Sequence, residues 1–131
     1  MPGYSGTPLA RKLGIKDHFR IALVNFPADV NAEMREAFTK CEVSSDRLDF
    51  AMIFVKSRAE LEKRFCQYSR KLIPTGMLWV SWPKKSSGVP TDLDGNVVRA
   101  IGLDAGLVDV KVCAVTEIWS GLKFVIRLKD R

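Results

Sequence analysis

The residues best suited to recognition chemistry lie in one basic loop that follows an apolar run and is punctuated by glycine and proline. The loop carries Lys84, Lys85, Ser86, Ser87 and Gly88, and Thr91 stands at its end. Ammonium groups, hydroxyls and backbone amides are the groups that bind phosphate or carboxylate. We therefore predict that residues 83–92 bind an anionic small molecule or a partner, the alternative being a solvated connector.

Three residues near the predicted strand ends are candidates for the same site. Asn25 ends the apolar run 19–25, Trp82 ends the run 77–82, and Trp119 lies between the last two β-prone runs. In an open α/β sheet, side chains at the carboxyl ends of parallel strands line the crevice that takes ligands. The alternatives are a turn-capping role for Asn25 and a core position for Trp82.

The remaining chemistry-bearing residues argue against several catalytic classes. His18 is the single histidine and precedes the first predicted strand, which is the wrong end of the sheet for catalysis. Cys41, Cys66 and Cys113 form neither a CxxC pair nor a Cys/His cluster, so we expect neither a disulfide framework nor a zinc site. We assign no catalytic residue, no metal and no cofactor, and we favour a non-catalytic module over an enzyme.

Length and composition predict a single α/β domain over residues 1–131, in which residues 1–16 form an N-terminal arm with a short helix. The chain has 131 residues, of which 47% are hydrophobic, and a net charge of +6. No apolar run reaches the ~20 residues of a membrane span, so we expect a cytoplasmic protein. The basic residues are scattered, which favours a small anion or a protein partner over nucleic acid and leaves a homo-oligomer open.

Alternating strand and helix signals predict a three-layer, Rossmann-like fold with a mostly parallel sheet. Ser57 and Glu60 form a capping box before one helix, and Thr91 is a candidate cap for the next. Residues 73–76 are predicted to form a turn. The last two β-prone runs, 108–115 and 122–128, are close enough to pair as an antiparallel hairpin.

Residues 48–128 resemble a Rossmann-like methyltransferase domain. The apolar run 49–55, the following helix and the segment LIPTGMLWV at residues 72–80 look like that superfamily's fourth strand, helix and fifth strand. The resemblance implies S-adenosylmethionine bound on a glycine-rich turn after the first strand. The corresponding turn here, residues 25–29, has no glycine, so we predict a degenerate form of the methyltransferase fold that lacks the glycine-rich cofactor turn. A divergent S-adenosylmethionine-dependent methyltransferase is the alternative function.

Most of the chain also resembles a family of small single-domain bacterial proteins of unknown function. The resemblance is carried by GYSGTPL at residues 3–9, KLGIK at 12–16, WPKKSSGVPTDL at 82–93, NVVR at 96–99 and WSGL at 119–122. It implies the same fold and no particular activity.

Overall fold

A computed structural model of the chain describes residues 8–131. The strands are β1 (Arg20–Val24), β2 (Glu42–Val43), β3 (Leu48–Phe54), β4 (Leu72–Pro83), β5 (Leu107–Ala114) and β6 (Trp119–Ile126). The helices are α1 (Leu9–Leu13), α2 (Ala28–Thr39), α3 (Arg58–Ser69) and α4 (Gly95–Asp104). Short 3-10 helices span Lys85–Ser87 and Leu128–Asp130.

The strands form one mixed sheet in the order β2-β1-β3-β4-β6-β5. β2, β1, β3 and β4 are parallel, and β6 runs antiparallel to both β4 and β5. The predicted Rossmann-like fold with a C-terminal antiparallel hairpin is therefore confirmed. Its parallel strands end at one edge, where the loops that carry a ligand site emerge.

Helices cover both faces of the sheet, because successive residues of each central strand point to opposite sides. On one face, Leu61 and Phe65 of α3 and Val98 of α4 pack with Phe124 of β6. Gly102 of α4 allows this close approach, since a Cβ at this position would overlap the ring of Phe124.

The opposite face carries α1 and α2. Leu13, Val30 and Met34 pack there with Trp79 of β4, and all four are fully buried. Two side chains donate to carbonyls near the end of α1: Trp79 Nε1 to the Leu13 carbonyl at 2.8 Å and Lys111 Nζ to the Lys12 carbonyl at 2.9 Å. The short helix is thus held by the sheet rather than by its own length.

Two local predictions are wrong. The helix after the basic loop begins at Gly95, and Asp94 rather than Thr91 caps it, because Asp94 Oδ1 accepts from the Val97 N–H at 2.9 Å. The predicted turn 73–76 lies inside β4, where a register shift after Leu48 accommodates the extra residues. In the predicted N-terminal arm, residues 1–7 lie outside the described residues. Across residues 8–131, no helix has the length and apolar character needed to cross a membrane.

Candidate functional site

The carboxyl ends of β1 and β3 border a cavity of about 380 Å³. Its lining combines three polar side chains with three apolar or aromatic ones: Asn25, Lys56, Glu60, Pro27, Phe54 and Trp119. This volume is near the lower end of the range found for small-molecule sites. Together with the few polar groups that converge on the cavity, it suits a small ligand. The cavity lies where a parallel α/β sheet places its ligands.

Asn25 forms the turn that leaves β1 and adopts a left-handed backbone with φ of +56°. Asparagine tolerates this conformation better than most residues with a Cβ. Its side-chain Nδ2 donates to the Phe54 carbonyl at 3.3 Å and to Glu60 Oε2 at 3.2 Å. The turn after β1 is thereby joined to the end of β3 and to the first turn of α3.

Glu60 is positioned by the capping box that begins α3. Its backbone N–H donates to Ser57 Oγ at 3.1 Å, and its Oε1 accepts from the Lys56 N–H at 3.0 Å. With the bond from Asn25, both carboxylate oxygens carry one hydrogen bond from the chain. Because each oxygen has about two acceptor directions, capacity remains for a ligand.

A row of edge-to-face aromatic rings lies beneath the polar groups. Phe26 packs against Phe38 and Phe54 with ring centroids 5.2 and 4.9 Å apart, and Phe54 packs against Trp119 at 5.0 Å. Such pairs prefer this geometry because a ring edge is positive and a ring face negative. The row ties the turn after β1 to the start of β6.

The segment before α4 is clamped onto the loop after β3. Thr91 Oγ1 donates to the Lys56 carbonyl at 2.6 Å, and Asp92 Oδ1 accepts from the Arg58 N–H at 2.8 Å. Thr91 therefore supports the wall that contains Lys56, although its own hydroxyl is engaged. Asp92 satisfies an amide at the start of α3, as a carboxylate near a helix N-terminus does favourably.

The basic loop forms a compact 3-10 turn beside this wall. Ser87 Oγ donates to the Lys84 carbonyl at 2.6 Å and accepts from the Val89 N–H at 3.2 Å. Gly88, at φ of +76°, ends the turn, and its N–H points to the Lys85 carbonyl at 3.4 Å. These internal bonds engage several of the donors that the predicted anion cradle would use.

Among the predicted site residues, Asn25 and Trp119 meet at the cavity. The basic loop adjoins them, because the Lys84 N–H donates to the Ile118 carbonyl at 2.8 Å. Lys85 and Ser86 are exposed in that loop. Trp82 instead lies in the core under α3 and α4 and is 7% exposed, so it occupies the core position that its sequence also allowed.

Sequence reasoning missed four lining residues: Pro27, Phe54, Lys56 and Glu60. The capping pattern of Ser57 and Glu60 was recognised as a helix start, but its position after a buried strand also places Glu60 at the ligand edge. A capping box placed directly after a buried strand was therefore the sequence signal that could have identified Glu60 as a site residue.

Comparisons with known proteins identify the fold. No family model matches the chain, and no curated protein matches it. A solved S-adenosylmethionine-dependent methyltransferase from Aquifex aeolicus superposes with a TM-score of 0.65 at 16% identity, covering 91% of this chain and 88% of that one. Magnesium protoporphyrin IX methyltransferase from Synechocystis PCC 6803, solved with S-adenosylhomocysteine, gives 0.59 at 9% identity, covering 91% and 78%.

A third similar structure is larger than this chain. CalO1, a methyltransferase in calicheamicin biosynthesis in its S-adenosylhomocysteine-bound form, superposes with a TM-score of 0.68 at 11% identity. The match covers 92% of this chain and 52% of CalO1. At these identities the likeness establishes a methyltransferase-type fold.

The comparisons correct the expectation of no cofactor. Structures that share this fold were solved with S-adenosylmethionine or S-adenosylhomocysteine bound. We expected no cofactor because the turn after β1 contains no glycine. Asn25 follows β1 in a left-handed conformation, which is the conformation that a glycine would adopt most easily in this turn.

Proposed function

We propose that the protein is a divergent methyltransferase that binds S-adenosylmethionine in the cavity between Asn25, Glu60 and Trp119. The observation that carries the proposal is the arrangement of a carboxylate, an amide and an ammonium group beside aromatic rings at the carboxyl ends of β1 and β3. The methyltransferase-type fold supports it, since this is the edge at which such sheets take their ligands.

The charges of the cavity suit a ligand with an amino-acid end. Lys56 offers a positive charge for the ligand carboxylate, and Glu60 offers a negative charge for a cationic group. Phe54 and Trp119 supply apolar surface for the remainder. In a glycine-rich turn the backbone can approach the ligand closely. Here the bulk of Phe26 and Pro27 prevents that approach, so we expect side chains to make most of the contacts with the ligand.

When bound, S-adenosylmethionine supplies a methyl group activated by its sulfonium charge. The residues of this chain hold and orient it: Asn25 keeps Glu60 in place, and the buried Trp119 limits access of water from the β6 side. The basic loop is the proposed recognition surface for the second reactant, because Lys84 joins it to the residue before Trp119.

A second candidate function is the non-catalytic recognition of an anion by Lys84 and Lys85. Among residues 8–131, no carboxylate lies within 4.0 Å of either ammonium group. Both charges are therefore available to a phosphate or carboxylate. This function would use the loop alone and leave the cavity empty.

Isothermal titration calorimetry with S-adenosylmethionine and S-adenosylhomocysteine tests the first proposal. We expect saturable binding that Glu60→Gln weakens about tenfold, the effect of removing one charge-assisted contact. Glu62→Gln is the matched control, since Glu62 is exposed on the same helix and borders a different groove. If neither compound binds at millimolar concentration, the proposal is overturned.

Inorganic phosphate tests the second candidate. We expect phosphate to bind the wild-type chain and the Lys129→Ala variant. Loss of that binding in a double variant with Lys84→Ala and Lys85→Ala would support an anion site in the loop. Lys129 is an exposed control near the C-terminus. Phosphate binding that survives the double substitution would reject this function for the loop.

A further inference from the structure

We propose that Glu60, together with Phe54 and Trp119, reads the sulfonium charge and so distinguishes S-adenosylmethionine from its demethylated product. This inference rests on the proposed function and adds to it the property of the ligand that the cavity selects. The two compounds differ by one methyl group and one positive charge at sulfur, while their amino-acid and adenosine parts are the same.

The cavity contains a negative charge on Glu60. Glu60 is the one carboxylate among the described residues that line the cavity, and it is half-buried. Partial removal from water strengthens its attraction for a cation relative to an exposed carboxylate. Its side chain is also fixed in advance, because Lys56 N–H and Asn25 Nδ2 each hold one oxygen.

Two aromatic rings share the cavity with the Glu60 carboxylate. Phe54 and Trp119 line the same cavity with ring centroids 5.0 Å apart. Aromatic rings attract cations that carry alkyl groups and are weakly hydrated, as quaternary ammonium ligands are. A sulfonium has the same character, whereas the primary ammonium of an amino acid is strongly hydrated and gains less from such rings.

The cavity also contains a positive charge on Lys56. Lys56 lines the same space and is exposed. Its charge suits the ligand carboxylate, which both compounds carry, but it also repels the sulfonium, so selection of the charged compound requires the attraction of Glu60 and the rings to exceed that repulsion. The difference between them then depends on that balance. Loss of the methyl group removes the positive charge and so favours release of the product.

The test compares both compounds on three proteins by isothermal titration calorimetry. We expect the wild-type chain to bind S-adenosylmethionine about tenfold more tightly than S-adenosylhomocysteine, as one cation–π and charge contact would give. In Glu60→Gln the preference should fall to about twofold or less, whereas Glu62→Gln should keep the wild-type ratio. Glutamine retains the acceptor for the Lys56 N–H, so the start of α3 is preserved.

Other outcomes separate the two proposals. Equal affinities in the wild-type chain, or a Glu60→Gln loss that is the same for both compounds, would overturn charge selection and leave the methyltransferase proposal standing. Binding of neither compound would overturn both. If Glu60→Gln does not fold, salt titration of the wild-type chain replaces it: the ratio of affinities should fall with rising salt, and a constant ratio would reject the inference.

Discussion

The side-chain amide of Asn25 and the carboxylate of Glu60 form a hydrogen bond of 3.2 Å between residues 35 positions apart in the chain. One belongs to the turn after β1 and the other to the first turn of α3. The same amide also reaches the Phe54 carbonyl, so a single exposed side chain holds three elements of the cavity together. The shape of the candidate site therefore depends on the conformation of Asn25.

Substitution of Asn25 separates its backbone role from its side-chain role. Asn25→Ala loses both hydrogen bonds and keeps a Cβ at φ of +56° without the polar side chain that helps asparagine adopt this conformation, and we expect it to lower the free energy of unfolding by about 2 kcal/mol. Asn25→Gly loses the same bonds without the backbone cost and should lose about 1 kcal/mol less. Urea unfolding measures both. Equal losses would show that the left-handed turn costs nothing here.

Gly102 controls how closely α4 approaches the sheet. A Cβ at this position would overlap the ring of Phe124, which is fully buried against Phe65, so Gly102→Ala should destabilise the protein by about 3 kcal/mol.

Gly95→Ala is the matched control in the same helix. Its Cβ would meet Trp82 at an ordinary 3.9 Å, and alanine is the better helix former, so we expect no loss of stability. Thermal unfolding of the two variants tests the pair. Similar melting temperatures would contradict the packing argument.

Hydrogen exchange can measure how strongly Trp79 anchors α1. Trp79→Phe leaves the Leu13 carbonyl without its indole donor, and we expect a loss of about 2–4 kcal/mol with faster exchange of the α1 amides. Lys111→Met removes the exposed bond to Lys12 and should cost less than about 1 kcal/mol. Unchanged protection of α1 in Trp79→Phe would contradict this account.

Thiol reactivity should follow burial. Cys66 is exposed, whereas burial raises the pKa of the Cys41 and Cys113 thiols. Since the thiolate is the reacting species, we expect an aromatic disulfide reagent at pH 8 to modify one thiol quickly and two slowly. Cys66→Ser should abolish the fast phase. A fast phase that persists in this variant would contradict the assignment.

Lys123 predicts a pH dependence of stability. Burial, and secondarily the charge of Lys111, lower the pKa of Lys123 from its ordinary 10.5. The folded chain therefore holds this proton less tightly than the unfolded chain, so the cost of the charged group is fully present below the folded pKa. That cost is relieved as the pH rises toward 10.5.

Lys123→Met should accordingly raise the melting temperature at pH 7, and the gain should shrink as the pH approaches the ordinary lysine value. Lys129→Met, at an exposed position, should show no such trend. Melting curves between pH 7 and 10 give the comparison. A gain that is independent of pH would assign the effect to packing instead of charge.

The fold was predictable because its signals are local. Apolar runs, the Ser57–Glu60 capping box and the closing hairpin each depend on residues near one another in sequence, and the structure confirms the architecture that they predict. Thr91 shows the limit of such signals. Its Oγ1 accepts from the Leu93 N–H in a local turn, as a capping residue would, but the helix begins after Asp94.

The candidate site was less predictable because its contacts are distant in sequence. Asn25 and Glu60 meet only once β1 and β3 are paired, and Thr91 reaches Lys56 across 35 positions. Trp82 lies near the end of a strand and Asn25 directly follows one, so their sequence positions are similar. The helices above β4 nevertheless enclose Trp82 in the core. Position at a strand end therefore indicated the right edge of the sheet without indicating which side chains reach the cavity.

The position of β6 has a consequence for biosynthesis. This strand follows β5 in the chain, yet it lies inside the sheet between β4 and β5. While the chain emerges from the ribosome, this edge of β4 stays unpaired until β6 has been made. An open, largely apolar strand edge is a template for pairing with other chains. Chains that terminate before Trp119 should consequently aggregate rather than fold, and they would depend on chaperones that shield such edges.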